Sequence, residues 1–217
     1  MKYPVIVGSN CCAGNFYHNY LNTAFYSPFI WSVVPYESIL NLINKWTLID
    51  WNDIQIIPNK TREYTLTLKL NKLADVHYVH YFKSDKYNTP YVKGASIFYK
   101  QIDSYLCNKY TERVARMLNH GDVDHPIFII HEEAYSNNNN ANVLQQIMTC
   151  NSPYKRIIIT HTINLSSVKP DKNCLYIYDK NKMLPEPMIL KYGDKISQFC
   201  GIKKADYAVT GTTLSAQ

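Results

Sequence analysis

The chain has 217 residues, of which 46% are hydrophobic and 18% are charged, a composition that excludes a disordered protein. With 23 Lys and Arg against 17 Asp and Glu, the formal net charge is +6, which favours anionic partners in general. The basic residues are spread along the chain and form no single stripe, which argues against nucleic-acid binding. This length fits a single domain over residues 1–217, whose core needs no disulfides.

No stretch of the sequence approaches the ~20 apolar residues that a membrane-spanning helix needs. The apolar run near the start, Val5–Val7, is too short for the hydrophobic region of a signal peptide. We therefore expect a cytoplasmic protein without a membrane span, which leaves peripheral membrane association open. The six cysteines show none of the paired spacings of a zinc site, so we expect no metal.

Hydrophobic periodicity predicts strands that alternate with helices. In chain order, the predicted elements are strands Pro4–Gly8 and Phe29–Val34, helix Tyr36–Trp46, strands Tyr64–Leu70 and Val76–Phe82, one or two helices over Ala95–Leu118, strand Ile127–Ile130, helix Ala141–Met148, and strands Arg156–Ile159 and Cys174–Tyr178. Asn71 and Lys72 are turn residues, so the strands on either side of them are expected to form a hairpin.

Three of the predicted strands are apolar on both faces: Val5–Val7, Ile127–Ile130 and Ile157–Ile159. Such strands lie in the middle of a parallel sheet that helices cover. We predict an α/β fold, a Rossmann-like three-layer sandwich with a mostly parallel central sheet and an antiparallel hairpin extension. In such sheets, ligands bind beyond the carboxyl ends of the strands.

Chemically capable side chains follow each of these three strands directly. They are Ser9, Asn10, Cys11 and Cys12 after the first strand, His131, Glu132 and Glu133 after the second, and Thr160 and His161 after the third. If the strands are parallel neighbours, these groups converge on one edge. A thiol between a strand and a helix N-terminus is a candidate nucleophile, and a nearby imidazole is a candidate general base. The alternative is that the two cysteines merely fill a tight turn.

A second group of histidines lies in the predicted strand Val76–Phe82. His77 and His80 are three residues apart and point to opposite faces of a regular strand, so at most one enters the crevice. His80 lies nearer the strand end and is the preferred one, although both can also be surface residues. The basic segment Lys109–Arg116 is either a solvated helix face or a site where its arginines bind a phosphate or carboxylate.

Several short blocks resemble one protein family, and they occur in the same order along the chain. The blocks are Ser9–Gly14, Tyr26–Phe29, Asp75–Ser84, Lys109–Arg116 and Thr160–His161. They resemble the domain-of-unknown-function 1919 family, which is labelled exopolysaccharide or capsule biosynthesis. By position, Cys12 matches the cysteine of that family, whereas Cys11, Ala13 and Asn15 depart from its pattern. The Asn-Cys turn is also similar to that of a capsule protein group with a coenzyme-A-binding, acetyltransferase-like site.

The residues and the resemblance together predict a carbohydrate O-acyltransferase that uses acetyl-CoA as donor and a glycan or sugar precursor as acceptor. Cys12 is the expected nucleophile or acyl carrier, His80 or His161 is the base, and Asn10 is an oxyanion donor. The residues expected to hold the donor are Ser9, Gly14, Arg113 and Arg116. Those expected to contact the substrate are His77, His131 and Glu132.

Two other classes of function remain open. A glycosyltransferase that uses a nucleotide-sugar often has an Asp-x-Asp motif, and Asp122-Val123-Asp124 has that spacing but precedes a strand instead of following one. The other is a non-catalytic glycan-binding protein rich in surface tyrosines.

Overall fold

A computed structural model describes residues 2–23, 25, 27–59, 65–78, 96–132 and 140–207. In chain order, its main elements are β1 (Tyr3–Gly8), α1 (Cys12–Asn15), α2 (Tyr36–Lys45), β2 (Ile54–Asn59), β3 (Thr65–Leu70), β4 (Ala74–Tyr78), α3 (Ser96–His120), β5 (Gly121–His131), α4 (Asn140–Thr149), β6 (Lys155–Thr160), β7 (Cys174–Tyr178) and α5 (Pro185–Cys200). A π-helical turn, Phe16–Tyr20, continues α1, and single 3-10 turns cover Trp46–Leu48 and Lys204–Asp206.

The strands form two sheets, and the larger one is parallel throughout. Its order is β1-β5-β6-β7, while β2-β3-β4 make a separate antiparallel sheet. Successive residues of β5 face opposite clusters, with Phe128 and Ile130 on one side and Ile127 and Ile129 on the other. The first cluster includes α2, α3, α4 and the antiparallel sheet, and the second includes α1 and α5. This arrangement confirms the predicted three-layer α/β fold.

The register of the parallel sheet sets the position of the functional residues. Gly8 of β1 pairs with Ile129 of β5, and His131 of β5 pairs with Ile159 of β6. Because all three strands run in the same direction, the residues that follow them leave the sheet at one edge. The four strands also follow one another in chain order, so the strand order does not reverse within this sheet.

The strand predicted over Phe29–Val34 is wrong, because the chain turns there. Trp31 has a φ of 57°, which no strand residue adopts, and the Ser32 hydroxyl donates to the Phe29 carbonyl at 2.6 Å. Among the described residues, Val33 pairs through an isolated antiparallel bridge with His77. The apolar residues of this run are buried in the core through a turn, so their hydrophobicity reflects burial and not a strand.

Strand β2 and helix α5 were not predicted, whereas the predicted hairpin between β3 and β4 is confirmed. β2 pairs with β3 from Ile54↔Leu70 to Asn59↔Thr65. Helix α5 buries Met188, Ile189 and Ile196 against the second face of the parallel sheet. The hairpin between β3 and β4 is present as predicted, and its turn residues Asn71 and Lys72 have φ values of 48° and 59°.

Tyr17 fills an irregularity between β1 and β5. The pairing jumps from Pro4↔Asp122 to Ile6↔Ile127. At this jump the Tyr17 hydroxyl accepts the N–H of Ile6 at 2.9 Å and donates to the carbonyl of Pro4. Tyr17 is fully buried, and this burial raises its pKa well above the ordinary value, so the hydroxyl keeps the proton that it donates.

We expect Tyr17→Phe to lower the free energy of unfolding by about 1–3 kcal/mol, because it leaves two buried main-chain groups without their partner. Urea unfolding of the variant and the unchanged protein measures this difference. Tyr207→Phe is the matched control, since among the described residues that hydroxyl makes a single long contact, 3.4 Å to the carbonyl of Lys2 at the surface. Equal stability of Tyr17→Phe and the unchanged protein would contradict this role.

Candidate functional site

The carboxyl ends of β1, β5 and β6 bring six of the predicted residues together. All six are buried: Ser9, Asn10, Cys12, His131, Glu132 and His161. The rings of His131 and His161 have their centroids 5.8 Å apart and their planes 49° apart. The predicted convergence of a thiol, two imidazoles and a carboxylate at one sheet edge is therefore present in the structure.

Asn10 connects Cys12 with His131, and one main-chain group fixes the orientation of its amide. The N–H of Cys12 donates to Asn10 Oδ1 at 3.2 Å. A main-chain N–H can only donate, so the oxygen faces Cys12 and the Nδ2 atom faces His131. The thiol of Cys12 donates to the same oxygen, with sulfur and oxygen 2.7 Å apart. The sulfur therefore carries its proton in this arrangement.

The same amide determines where His131 carries its proton. Asn10 Nδ2 lies 3.1 Å from His131 Nδ1 and can only donate, so Nδ1 accepts and the ring proton is on Nε2. Burial, as the larger cause, and the neighbouring His161 lower the pKa of His131 to about 4, although the charge of Glu132 opposes the shift. The ring is neutral at neutral pH, so it is poised to donate a hydrogen bond from Nε2.

Ser9 and Tyr36 hold the main chain at His131. The Ser9 hydroxyl accepts the N–H of His131 at 3.0 Å and donates to its carbonyl at 3.1 Å. The Tyr36 hydroxyl donates to the same carbonyl at 3.2 Å. These bonds give Ser9 a structural task at the ends of β1 and β5, and its expected contact with a donor stays a prediction.

Glu132 and His161 form the second half of the site. One carboxylate oxygen of Glu132 accepts the main-chain N–H of His161 at 2.8 Å. The Nε2 atom of His161 is buried and has no hydrogen-bond partner within the ranges that the structure describes. Burying an imidazole nitrogen without a hydrogen-bond partner costs free energy of folding. Such a nitrogen is available to bind a ligand.

Gly14 has a packing reason for lacking a side chain. A Cβ atom at this position would lie 2.6 Å from Cδ2 of Trp31. Only glycine lets the indole ring lie this close to α1, so the residue is explained without a bound donor. Its expected contact with the donor stays a prediction.

Arg113 lies in a different cluster on α3. It is buried, and its guanidinium carbon lies 5.1 Å from the centroid of the Tyr110 ring. Burial lowers the pKa of His18, and the charge of Arg113 lowers it further, so the guanidinium also lies near His18. Arg116 is exposed on the same helix. The structure therefore places both arginines on α3, and their expected contact with the donor stays a prediction.

Of the two histidines in the predicted strand Val76–Phe82, the structure describes His77 but not His80. His77 is half-buried on β4, and its Nδ1 atom lies 3.1 Å from the Thr67 hydroxyl on β3. His80, the preferred base, lies outside the described residues, as does Glu133. The imidazole that Asn10 links to the thiol is His131, which the sequence pattern assigned to the substrate.

Comparison with protein-family models, curated proteins and solved structures gives no match for this chain. The resemblance to the domain-of-unknown-function 1919 family therefore stays a prediction. Over the described ranges, no cluster of three or more His, Cys, Asp or Glu side chains could hold a metal ion. No helix in the same ranges combines the length and apolar character needed to cross a bilayer.

The low pKa of His131 predicts that acid destabilises the fold. The pKa falls from 6.5 to about 4 on folding, so the unfolded chain takes up this proton first. The free energy of unfolding is therefore highest above pH 6.5 and decreases as the pH falls towards 4. The total decrease from this group is at most about 3 kcal/mol. His18, whose pKa is also lowered by burial, contributes in the same direction.

Urea unfolding at about pH 7 and about pH 5 measures this effect. We expect His131→Gln to lose less stability between the two pH values than the unchanged protein does. An equal loss in both proteins would show that His131 is not the titrating group.

Proposed function

We propose that this protein is a carbohydrate O-acyltransferase of surface-polysaccharide biosynthesis, and that Asn10, Cys12, His131 and His161 form its reacting centre. The observation that carries this proposal is the hydrogen-bonded chain from the Cys12 thiol through Asn10 to His131. It ends 5.8 Å, ring to ring, from His161, whose Nε2 atom has no partner within the described ranges. The resemblance of the sequence blocks supports the carbohydrate acceptor and acetyl-CoA as the donor.

The chemistry has two steps, and the thiol takes part in both. In the first step the Cys12 sulfur forms a bond to the acyl carbon of the donor thioester and its proton passes to an imidazole. The bond between the acyl carbon and the donor sulfur then breaks, and coenzyme A leaves as a thiol with that proton. In the second step a sugar hydroxyl attacks the acyl carbon, its proton passes to an imidazole, and the Cys12 sulfur leaves and regains a proton.

The two imidazoles are suited to different tasks in these steps. His131 is neutral and carries its proton on Nε2, so it can donate a hydrogen bond to the acyl oxygen as negative charge develops there. His161 has a buried Nε2 without a partner among the described residues, so it is the better candidate for proton acceptor. Asn10 orients His131 and holds the thiol between reactions.

The burial of Cys12 adds a condition to this mechanism. The residue has no exposed surface, so a donor reaches the sulfur only after a neighbouring part of the chain moves aside. The phosphates of acetyl-CoA also need cations. Arg113, whose charge is buried beside Tyr110, and Arg116 on the same helix are the residues that we assign to them.

The class of reaction can be tested with the purified chain. The protein is incubated with an oligosaccharide acceptor and either acetyl-CoA or a panel of nucleotide-sugars, and the products are identified by mass spectrometry. We expect acetylated oligosaccharide and free coenzyme A in the first case and no reaction in the second. Transfer from a nucleotide-sugar would contradict the proposal and favour a glycosyltransferase. Glycan binding without either reaction would favour a non-catalytic binding protein.

A further inference from the structure

We propose that Glu132 is a positioning residue that fixes the turn carrying His161 and so directs the His161 ring towards His131. The reaction that the His161 ring serves is the one proposed above, so that part of the inference rests on the proposed function. The positioning of the ring by Glu132 does not depend on it. It differs from the role that the sequence suggests for Glu132, which is contact with the substrate.

The position of Glu132 follows from the register of the parallel sheet. Its N–H donates to the Ile159 carbonyl at 2.9 Å, which extends the pairing of β5 with β6 by one residue. The side chain therefore leaves β5 opposite the point where β6 ends, at the start of the turn that contains His161.

Four donors of this turn converge on the Glu132 carboxylate. Oε2 accepts three successive main-chain N–H groups, those of His161 at 2.8 Å, Thr162 at 3.0 Å and Ile163 at 3.2 Å. The Thr162 hydroxyl donates to Oε1. Three consecutive N–H groups aimed at one oxygen form an anion-binding nest, and in this turn the anion comes from the protein itself.

The carboxylate is ionised because of these donors. Burial alone would raise the pKa of Glu132, but the Thr162 hydroxyl and the N–H groups of Thr162, His161 and Ile163 together lower it. With both oxygens engaged by the turn, Glu132 has little remaining capacity to bind a sugar hydroxyl.

The turn has a second anchor that does not involve Glu132, which makes a selective test feasible. The Tyr176 hydroxyl lies 2.9 Å from the Thr160 hydroxyl, accepts the N–H of Leu165 at 2.7 Å and donates to the Ile163 carbonyl at 3.2 Å. Removing the charge of Glu132 therefore releases the main chain at His161 and Thr162, while Tyr176 still holds the turn through Thr160, Ile163 and Leu165.

Glu132→Gln tests the positioning role, with Glu186→Gln on the exposed start of α5 as the matched control. Ring signals of His131 and His161 are recorded by NMR in histidine-labelled protein across a pH series. We expect the chemical shifts of the His161 ring to change in Glu132→Gln and to stay unchanged in the control. Unchanged His161 signals in a folded Glu132→Gln protein would overturn the proposal. If that variant does not fold, Glu132→Asp, which cannot reach all three N–H groups, takes its place.

Kinetics separate positioning from substrate binding. We expect Glu132→Gln to lower kcat for acyl transfer by about 10- to 100-fold, with an unchanged KM for the acceptor. A raised KM with unchanged kcat would show that Glu132 binds substrate, contrary to the proposal. If the unchanged protein transfers no acyl group, the proposed function fails, and the NMR signals alone still decide whether Glu132 positions His161.

Discussion

We expect Asp171→Asn to lower the free energy of unfolding by about 3–5 kcal/mol, because it removes the counter-ion of a buried cation. The guanidinium of Arg156 has no exposed surface, and its Nη2 atom forms an ion pair with Asp171. Its Nη1 atom donates to the Cys150 carbonyl at 2.6 Å. Arg156 thus joins β6 to the end of α4 and to the segment before β7, and without Asp171 its charge is uncompensated.

The neighbours of Asp171 indicate that the carboxylate belongs to this arrangement. The N–H of Asn173 donates to it at 3.0 Å, and this bond, with the charge of Arg156, lowers the pKa of Asp171. The main chain of Asp171 is also held, through a bond of 3.0 Å from its N–H to the Met148 carbonyl. Asparagine can keep some of these hydrogen bonds but not the charge.

Urea unfolding tests this prediction, with the exposed Asp206→Asn as the matched control. The double variant Arg156→Met, Asp171→Asn should be more stable than Asp171→Asn alone, because it removes the buried cation together with its partner. If Asp171→Asn unfolds at the same urea concentration as the control, the ion pair does not stabilise the fold.

The second large effect is on activity. We expect His161→Gln to lower the rate of acyl transfer by about 10²- to 10⁴-fold, the usual range for the loss of a general base. Its stability should change little, since the Nε2 atom makes no hydrogen bond within the described ranges. His125→Gln is the matched control, because His125 is exposed and pairs with Asp122 at 3.1 Å on the surface.

The comparison with His80 makes this prediction specific. Steady-state rates are measured for His161→Gln, His80→Gln and the control under one set of conditions. If His80→Gln loses the activity and His161→Gln keeps it, His80 is the base and His161 is not the proton acceptor.

The parallel sheet could be predicted because its strands have a distinctive hydrophobic pattern. Val5–Val7, Ile127–Ile130 and Ile157–Ile159 are apolar on both faces, and only a strand covered on both sides buries such a run. Burial also explains why the strand predicted over Phe29–Val34 is wrong. Phe29 and Val34 are buried, but the turn at Trp31 places them there. A local pattern of apolar residues does not separate these two cases.

The sequence partly predicted which residues belong to the site, but it did not predict which of them contact one another. Polar residues directly after apolar parallel strands are expected at one edge, and six of the predicted residues meet there. Which imidazole faces Asn10, and whether Glu132 points to a substrate or to the next turn, depends on the register between β1, β5 and β6. Register arises from the whole sheet, so the sequence around Cys12 could not identify His131 as its partner.

Acylation of Cys12 by the donor alone is the most direct test of the proposed reacting centre. The chain is mixed with acetyl-CoA without acceptor, quenched in acid and digested, and the acetylated peptide is identified by mass spectrometry. We predict one acetyl group on Cys12, which disappears when an acceptor glycan is added, is absent from Cys12→Ala and persists in Cys11→Ser. Transfer to glycan at an undiminished rate by Cys12→Ala, with no acetylated cysteine in the unchanged protein, would contradict a covalent role for this thiol.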